Sequence, residues 1–211
     1  MVGSGSLIEC LDSAEVREVL VVGRRSCGVE HEKLSEVIVD DMFDYSAVQA
    51  RFAGADACFF CLGISSAGMS EQEYHRITYE LTVAAAESLA AVNDGMTFCY
   101  ISGAGAYSSE EGPMMWARVR GRVENKLAEM DFAATWIFRP GFIQPVRGVC
   151  SRTALYNAVY TVAGPFTPLL SRIAPSLVTT TKRIGRALIR VARDGAAHRV
   201  LNNRDINRLA E

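Results

Sequence analysis

The stretch that decides the fold is Thr97 to Leu127, TFCYISGAGAYSSEEGPMMWARVRGRVENKL. An apolar run of strand type, Thr97 to Ile101, ends in Ser102. A glycine-bearing polar loop follows, Ser102-Gly103-Ala104-Gly105, and then a helix with Trp116 and Arg120 one turn apart. A strand, a polar turn and a helix in this order form part of a parallel crossover unit, because parallel neighbours are joined only by connections long enough to cross the sheet face.

The same alternation continues in both directions. Glu18–Val22 (EVLVV), Glu36–Val39 (EVIV) and Ala55–Leu62 (ADACFFCL) read as short strands. A helix is expected from about Ser70 to Val92, opened by Ser70 and Glu73 in capping-box order, with Ile77, Leu81, Ala84, Ala85 and Leu89 at helical spacing. Further elements are a helix over about 114–130, a strand at Ala134–Phe138, a helix over about 182–193 and a strand-like piece near Val200. Ahead of them all, Leu7, Ile8 and Leu11 give a short helical face ending near Asp12 or Ser13.

This pattern predicts an α/β fold, Rossmann-like and doubly wound, with a mostly parallel sheet covered by helices on both faces. Five strand ends lead into polar or glycine-bearing turns: Gly23-Arg24-Arg25, Asp40-Asp41, Gly63-Ile64-Ser65-Ser66, Ser102-Gly103-Ala104-Gly105 and Arg139-Pro140-Gly141. Any one such turn needs glycine and polar caps for its own geometry. Five along one carboxyl edge favour a continuous ligand crevice, where sheets of this kind bind.

The bulk numbers fit one domain, 1–211: the chain has 211 residues, 49% of them hydrophobic. A formal net charge of -2 gives no reason to expect a nucleic-acid partner. Six scattered cysteines with no signal peptide ahead of them read as reduced thiols in a cytoplasmic protein. Cys58 and Cys61 have CxxC spacing, but on a strand they point to opposite faces, and no second such pair completes a metal site. Histidines 31, 75 and 198 are far apart in sequence, so no metal is expected.

The apolar segment 146–181, richest over 151–178, is broken by Pro165, Pro168 and Pro175 and is too interrupted to span a membrane. It suits a substrate-side cap, a homo-oligomer interface or a protein-partner surface, with interfacial membrane contact a weaker alternative. On the helix after it, Lys182, Arg186, Arg190 and Arg193 form a basic stripe opposite Ile184, Leu188 and Val191, read as a solvated face.

The strand and GRR turn at 19–25, CFFCLG at 58–63, the serine-ended strand at 97–102, WARVRGRVENKL at 116–127 and RPGFIQP at 139–145 together resemble the atypical short-chain dehydrogenase/reductases. More narrowly, they resemble the Tat-interacting oxidoreductase branch and its bacterial NAD-dependent epimerase/dehydratase-like relatives. The resemblance implies a dinucleotide cofactor and a small-molecule substrate. It places Gly3 at the third position of a Gly-x-x-Gly-x-x-Gly turn, with Met1 just after the second glycine. The first strand and two glycines of that pattern are absent, an N-terminal truncation of the family fold. The loss leaves a gap between the two flanking strands; either the natural protein starts upstream, with Met1 an internal methionine, or this is a short form whose flanking strands have closed up, and phosphate binding is compromised in both cases.

The resemblance further places Arg24 and Arg25 beside the adenosine ribose, where guanidinium groups favour the 2′-phosphate of NADP over NAD. It sets Asp41 and Leu62-Gly63 on the adenosine side, and Gly141, Phe142 and Ile143 near the nicotinamide. Of the family's serine, tyrosine and lysine, only Ser102 matches. Trp116 stands at the tyrosine position and Arg120 at the lysine position. An indole N–H can donate a hydrogen bond but is no general acid near neutral pH, and a guanidinium is not an equivalent of an ammonium. Tyr107 is a substitute candidate for the acid. Two readings follow: an NADP-dependent oxidoreductase with a degenerate active site, and a non-catalytic interaction module on the same fold.

Overall fold

The computed structural model describes residues 1–149 and 176–211. In chain order these form α1 (Val2–Asp12), β1 (Val19–Gly23), β2 (Leu34–Ile38) and β3 (Ala57–Phe60). Next come α2 (Glu71–His75), a π-helical turn (Arg76–Glu80), α3 (Leu81–Ala90), β4 (Thr97–Ile101), α4 (Met115–Glu129), β5 (Ala134–Arg139) and β6 (Phe142–Gln144). The chain closes with β7 (Val178–Thr180), α5 (Thr181–Asp194), β8 (Val200–Asn202) and α6 (Asn203–Leu209). The expected apolar cap lies mostly in 150–175, outside the described residues.

Among the described residues all strand pairings are parallel, in the order β3-β4-β5-β8, with β1-β2 and β6-β7 as separate pairs. The two faces of β4 show why the sheet is covered twice. Phe98 and Tyr100 join the cluster built with Phe60, Val123, Leu127 and Ile137, while Cys99 and Ile101 join that of Phe138, Ile184, Leu188, Leu201 and Ile206. Successive residues of a strand point to opposite faces, so an uninterrupted apolar run requires helices on both sides. Here α3 and α4 cover one face, and α1, α5 and α6 the other.

Among the described residues, β1 is hydrogen-bonded only to β2 and β3 only to β4, so these two strands stand apart rather than closed up. Helix α1 reaches the carboxyl end of β3, where a Cβ on Gly3 would lie 3.3 Å from Cys61 Cβ. Its packing on α5 is close: a Cβ on Gly5 would meet Thr181 Cβ at 2.5 Å, and one on Gly185 would meet Glu9 Cγ at 2.9 Å. Buried Glu9 ties the pair together, accepting from Arg147 at 2.8 Å and Arg186 at 3.0 Å. Three members of the basic stripe therefore have carboxylate partners: Arg186 with Glu9, Arg190 with Asp194, and Arg193 with Glu15 and Asp194.

The Ser70–Glu73 capping box forms as expected. Of the expected apolar positions, Ala85 is buried and Leu81, Ala84 and Leu89 pack half-buried on the core, joined by buried Tyr74, Thr78, Thr82 and Ala86, whereas Ile77 is exposed. The cause is the π turn, closed by the Leu81 N–H donating to the Arg76 carbonyl, which inserts a residue and rotates the phase of the helix.

Candidate functional site

Ser102 begins the turn after β4. Its backbone N–H donates to the Phe138 carbonyl at 2.8 Å, and the Ala104 N–H donates to the Pro140 carbonyl at 2.9 Å, so the turns after β4 and β5 are held edge to edge. The Ser102 side chain is buried, and its hydroxyl donates to Glu124 Oε1 at 2.5 Å. Glu124, also buried, is gripped by Arg139, whose Nε donates to both carboxylate oxygens at 3.1 Å and whose Nη2 also pairs with Oε2. Arg139 Nη2 donates as well to Ser108 Oγ at 2.7 Å. The result is a closed network in which the Ser102 hydroxyl hydrogen is directed at a carboxylate, leaving its lone pairs as the free hydrogen-bonding capacity.

Arg120, one turn before Glu124 on α4, is half-buried. Its Nε donates to Tyr74 Oη at 3.1 Å and its Nη1 to the Ile101 carbonyl at 3.2 Å. No carboxylate pairs with it among the described residues. Burial pulls its pKa down, but Tyr100, Tyr74 and Glu124 nearby outweigh that and leave it raised, so the guanidinium stays charged. It lies against two of the carboxyl-edge turns: a Cβ on Gly63 would be 3.7 Å from Nη2, and one on Gly103 would be 3.9 Å from Nη1. Trp116 covers the same loop, its ring 3.8 Å from a Cβ built on Gly103 and 3.5 Å from one on Gly105. Ser102, Trp116 and Arg120 are thus brought to one turn region.

Tyr107 is placed differently. Its backbone N–H donates to the Ala117 carbonyl, its ring lies over Gly112, and its carbonyl presses on Gly121 of α4. Glycine is required at 112, where φ is 136° and a Cβ would meet the ring. The tyrosine is also close enough to Arg118 to interact electrostatically with it.

The other sequence candidates line the carboxyl edge. Arg24 and Arg25 are exposed just past β1 and make no ion pair among the described residues. Asp41 turns its Oδ1 back to the Phe43 N–H at 2.9 Å. Leu62 and Gly63 are exposed beyond β3. Gly141 donates its N–H to Asn203 Oδ1 at 3.0 Å, and Phe142 and Ile143 lie in β6, paired with β7.

The residues missed by sequence reading are Glu124, Arg139 as its partner, and Tyr74. Glu124 resembles one more charge on a charged helix. The available signal was its position one turn after Arg120 and one turn before the buried Leu127. No group of histidine, cysteine, aspartate or glutamate suited to a metal occurs among the described residues, and no helix there is long and apolar enough to cross a membrane.

A parallel sheet with helices on both faces and glycine-bearing turns at its carboxyl edge defines a Rossmann-like α/β protein. No family model matches the chain. It is similar to protein HTATIP2 of Rattus norvegicus, 29% identical over 143 residues, 67% of this chain and 58% of that protein. It is also similar to the mitochondrial protein fmp52-1 of Aspergillus terreus, 28% identical over 153 residues, 70% of this chain and 64% of that one. The chain spans from about half to just under two thirds of the length of the curated relatives it matches. Among solved structures, a dTDP-glucose 4,6-dehydratase from Streptomyces venezuelae with NAD bound superposes with a TM-score of 0.65 at 16% identity, over 99% of this chain and 76% of that one. The chain is thus similar in sequence to HTATIP2 and shares the fold of solved epimerase and dehydratase structures.

Proposed function

We propose that the chain is a nicotinamide-dinucleotide-binding oxidoreductase domain spanning 1–211, with NADP preferred over NAD and a small carbonyl or alcohol compound as substrate. The observation that carries this reading is the convergence of Ser102, Trp116 and the uncompensated Arg120 between the Gly63 and Gly103 turns.

The residues present fit the cofactor at its polar ends. Arg24 and Arg25, exposed and without carboxylate partners among the described residues, suit the 2′-phosphate that distinguishes NADP. Arg120 has N–H groups to spare for ribose oxygens. Glycines at 63 and 103 allow close backbone approach, and Gly141 to Ile143 border the same edge. When bound, the dinucleotide supplies hydride transfer.

Toward the substrate, Ser102 is a positioning group. With its hydrogen committed to Glu124, it accepts a hydrogen bond from a substrate hydroxyl more readily than it donates one to a carbonyl. Trp116 contributes an N–H donor and a cover over the Gly103–Gly105 loop but no proton. With Tyr107 packed on Gly112, proton transfer falls to water. The free thiols at Cys10, Cys27, Cys58, Cys61 and Cys99 suit a reducing, cytoplasmic setting.

The test compares the wild type with the Arg24→Ala/Arg25→Ala double variant for NADPH and NADH binding, and screens small carbonyl compounds for NADPH oxidation. The reading expects the double variant to lose its preference for NADPH, and oxidation to fall in Ser102→Ala. Tight dinucleotide binding with no turnover on any compound would favour the non-catalytic module instead.

A further inference from the structure

Most buried or half-buried charges in this protein are neutralised. Glu9 has Arg147 and Arg186, Glu71 has Arg118, and Glu124 has Arg139. Arg120 is among the exceptions. The nearest carboxylate along its helix, Glu124, is already saturated by Arg139 and Ser102, and among the described residues Arg120 itself bonds only a phenol and a backbone carbonyl. The cluster of Arg120, Glu124 and Arg139 therefore carries one excess positive charge.

One end of that charge is left without a partner. Nη2 makes no hydrogen bond among the described residues, and it is not among the fully buried unpartnered atoms, so it keeps some contact with solvent in a half-buried side chain. Its immediate neighbour is Gly63, exposed and without a side chain to obstruct approach. A guanidinium offers a planar fork of N–H donors matched to two oxygens of one carboxylate or phosphate. Two of its donors here already fix the plane against Tyr74 and Ile101, so less freedom is lost on binding.

We propose that Arg120 is the receptor for an oxyanion, a carboxylate or phosphate group, that binds at the carboxyl edge between the Gly63 and Gly103 turns. The group belongs either to a small acidic substrate or to a phosphate of a nucleotide. Both sources share the same recognition chemistry, and binding does not depend on the dinucleotide reading above.

Trp116 reports on this place directly, because its ring packs on the Gly103–Gly105 loop beside Arg120. The chain holds two tryptophans, so Trp136→Phe leaves Trp116 as the only indole fluorophore. Inorganic phosphate, pyruvate and NADPH are each titrated into that variant at constant ionic strength, with chloride as the reference salt. The proposal expects a saturable change in Trp116 emission with phosphate or pyruvate, weakened at least tenfold in Arg120→Gln and unaffected in Arg118→Gln.

Gly63→Asp is the second variant. Gly63 is exposed and has no left-handed φ, and a carboxylate there can reach Nη2 and occupy it from within. It should abolish the response while leaving the unfolding transition in place, which keeps the test decisive if Arg120→Gln fails to fold. Pyruvate responding alone assigns the anion to a substrate carboxylate, and phosphate responding alone assigns it to a phosphate group. A response equal to that of chloride, or one that survives both Arg120→Gln and Gly63→Asp, overturns the proposal. Loss of NADPH binding with the small-anion response intact would refute the cofactor reading and leave this one standing.

Discussion

Replacing Glu124 by glutamine removes a charge from the centre of the site while keeping its shape. The amide oxygen can still accept from Ser102, but Arg139 loses the carboxylate that holds its Nε and Nη2. Breaking a buried ion pair from one side costs about 3–5 kcal/mol, because the remaining charge is stranded. The Glu124 side chain is 4% exposed and that of Arg139 19%, so water screens part of the stranded guanidinium. That discount brings the expected loss to about 2–3 kcal/mol. For a chain of this size it corresponds to a fall in melting temperature of roughly 4–12 °C. Urea denaturation of Glu124→Gln, Arg139→Gln and the double variant measures it. The double variant should be destabilised by clearly less than the sum of the two singles. A loss below about 0.5 kcal/mol for Glu124→Gln, or strict additivity, would show that the network does not hold the Ser102 turn.

Other predictions concern packing, thiols and pH. Gly121→Ala should destabilise by about 1–3 kcal/mol or more, because a Cβ there runs into the Tyr107 carbonyl. Alanine in a helix interior ordinarily gains about 1 kcal/mol over glycine, so the sign of the melting shift decides the matter. Burial pushes the thiol pKa of Cys10 and Cys58 to about 12 and that of Cys61 to about 11. Alkylation followed by mass spectrometry at pH 8 should therefore leave these three and buried Cys99 intact until the protein unfolds, while exposed Cys27 reacts. Glu71, Glu73 and Asp194 have folded-state pKa values lowered chiefly by hydrogen bonds from Arg118, the Ser70 backbone and Arg193. Their contribution is present above the unfolded carboxylate pKa of about 4 and is lost as pH falls through the lower folded values, so the loss of stability in acid should be shallower in Glu71→Gln.

The elements with an unambiguous local signal were readable from sequence. β4 matches its apolar run from Thr97 to Ile101, and Ser70 with Glu73 marked a helix start that the structure reproduces. The helix after that start was readable as a helix and for most of its packed face, Leu81, Ala84, Ala85 and Leu89, but not at Ile77, because an extra residue in a π turn leaves no periodic trace before the phase has shifted. In the candidate site, the resemblance pointed to Ser102, Trp116 and Arg120, and these three lie at one turn region. The capture of the Ser102 hydroxyl was not readable, since it depends on Glu124 22 residues later and on Arg139 from a third element. Long-range ion pairs of that kind are set by topology and leave no local pattern. The placement of Tyr107 was hidden for the same reason: it is determined by the glycines at 112 and 121, which read as ordinary loop and helix residues until the loop is seen lying across α4.

Calorimetric titration of the chain with NADPH and then with NADH tests the central claim most directly. The account predicts saturable binding of NADPH, at least tenfold tighter than that of NADH. No binding of either dinucleotide at millimolar concentration would contradict it.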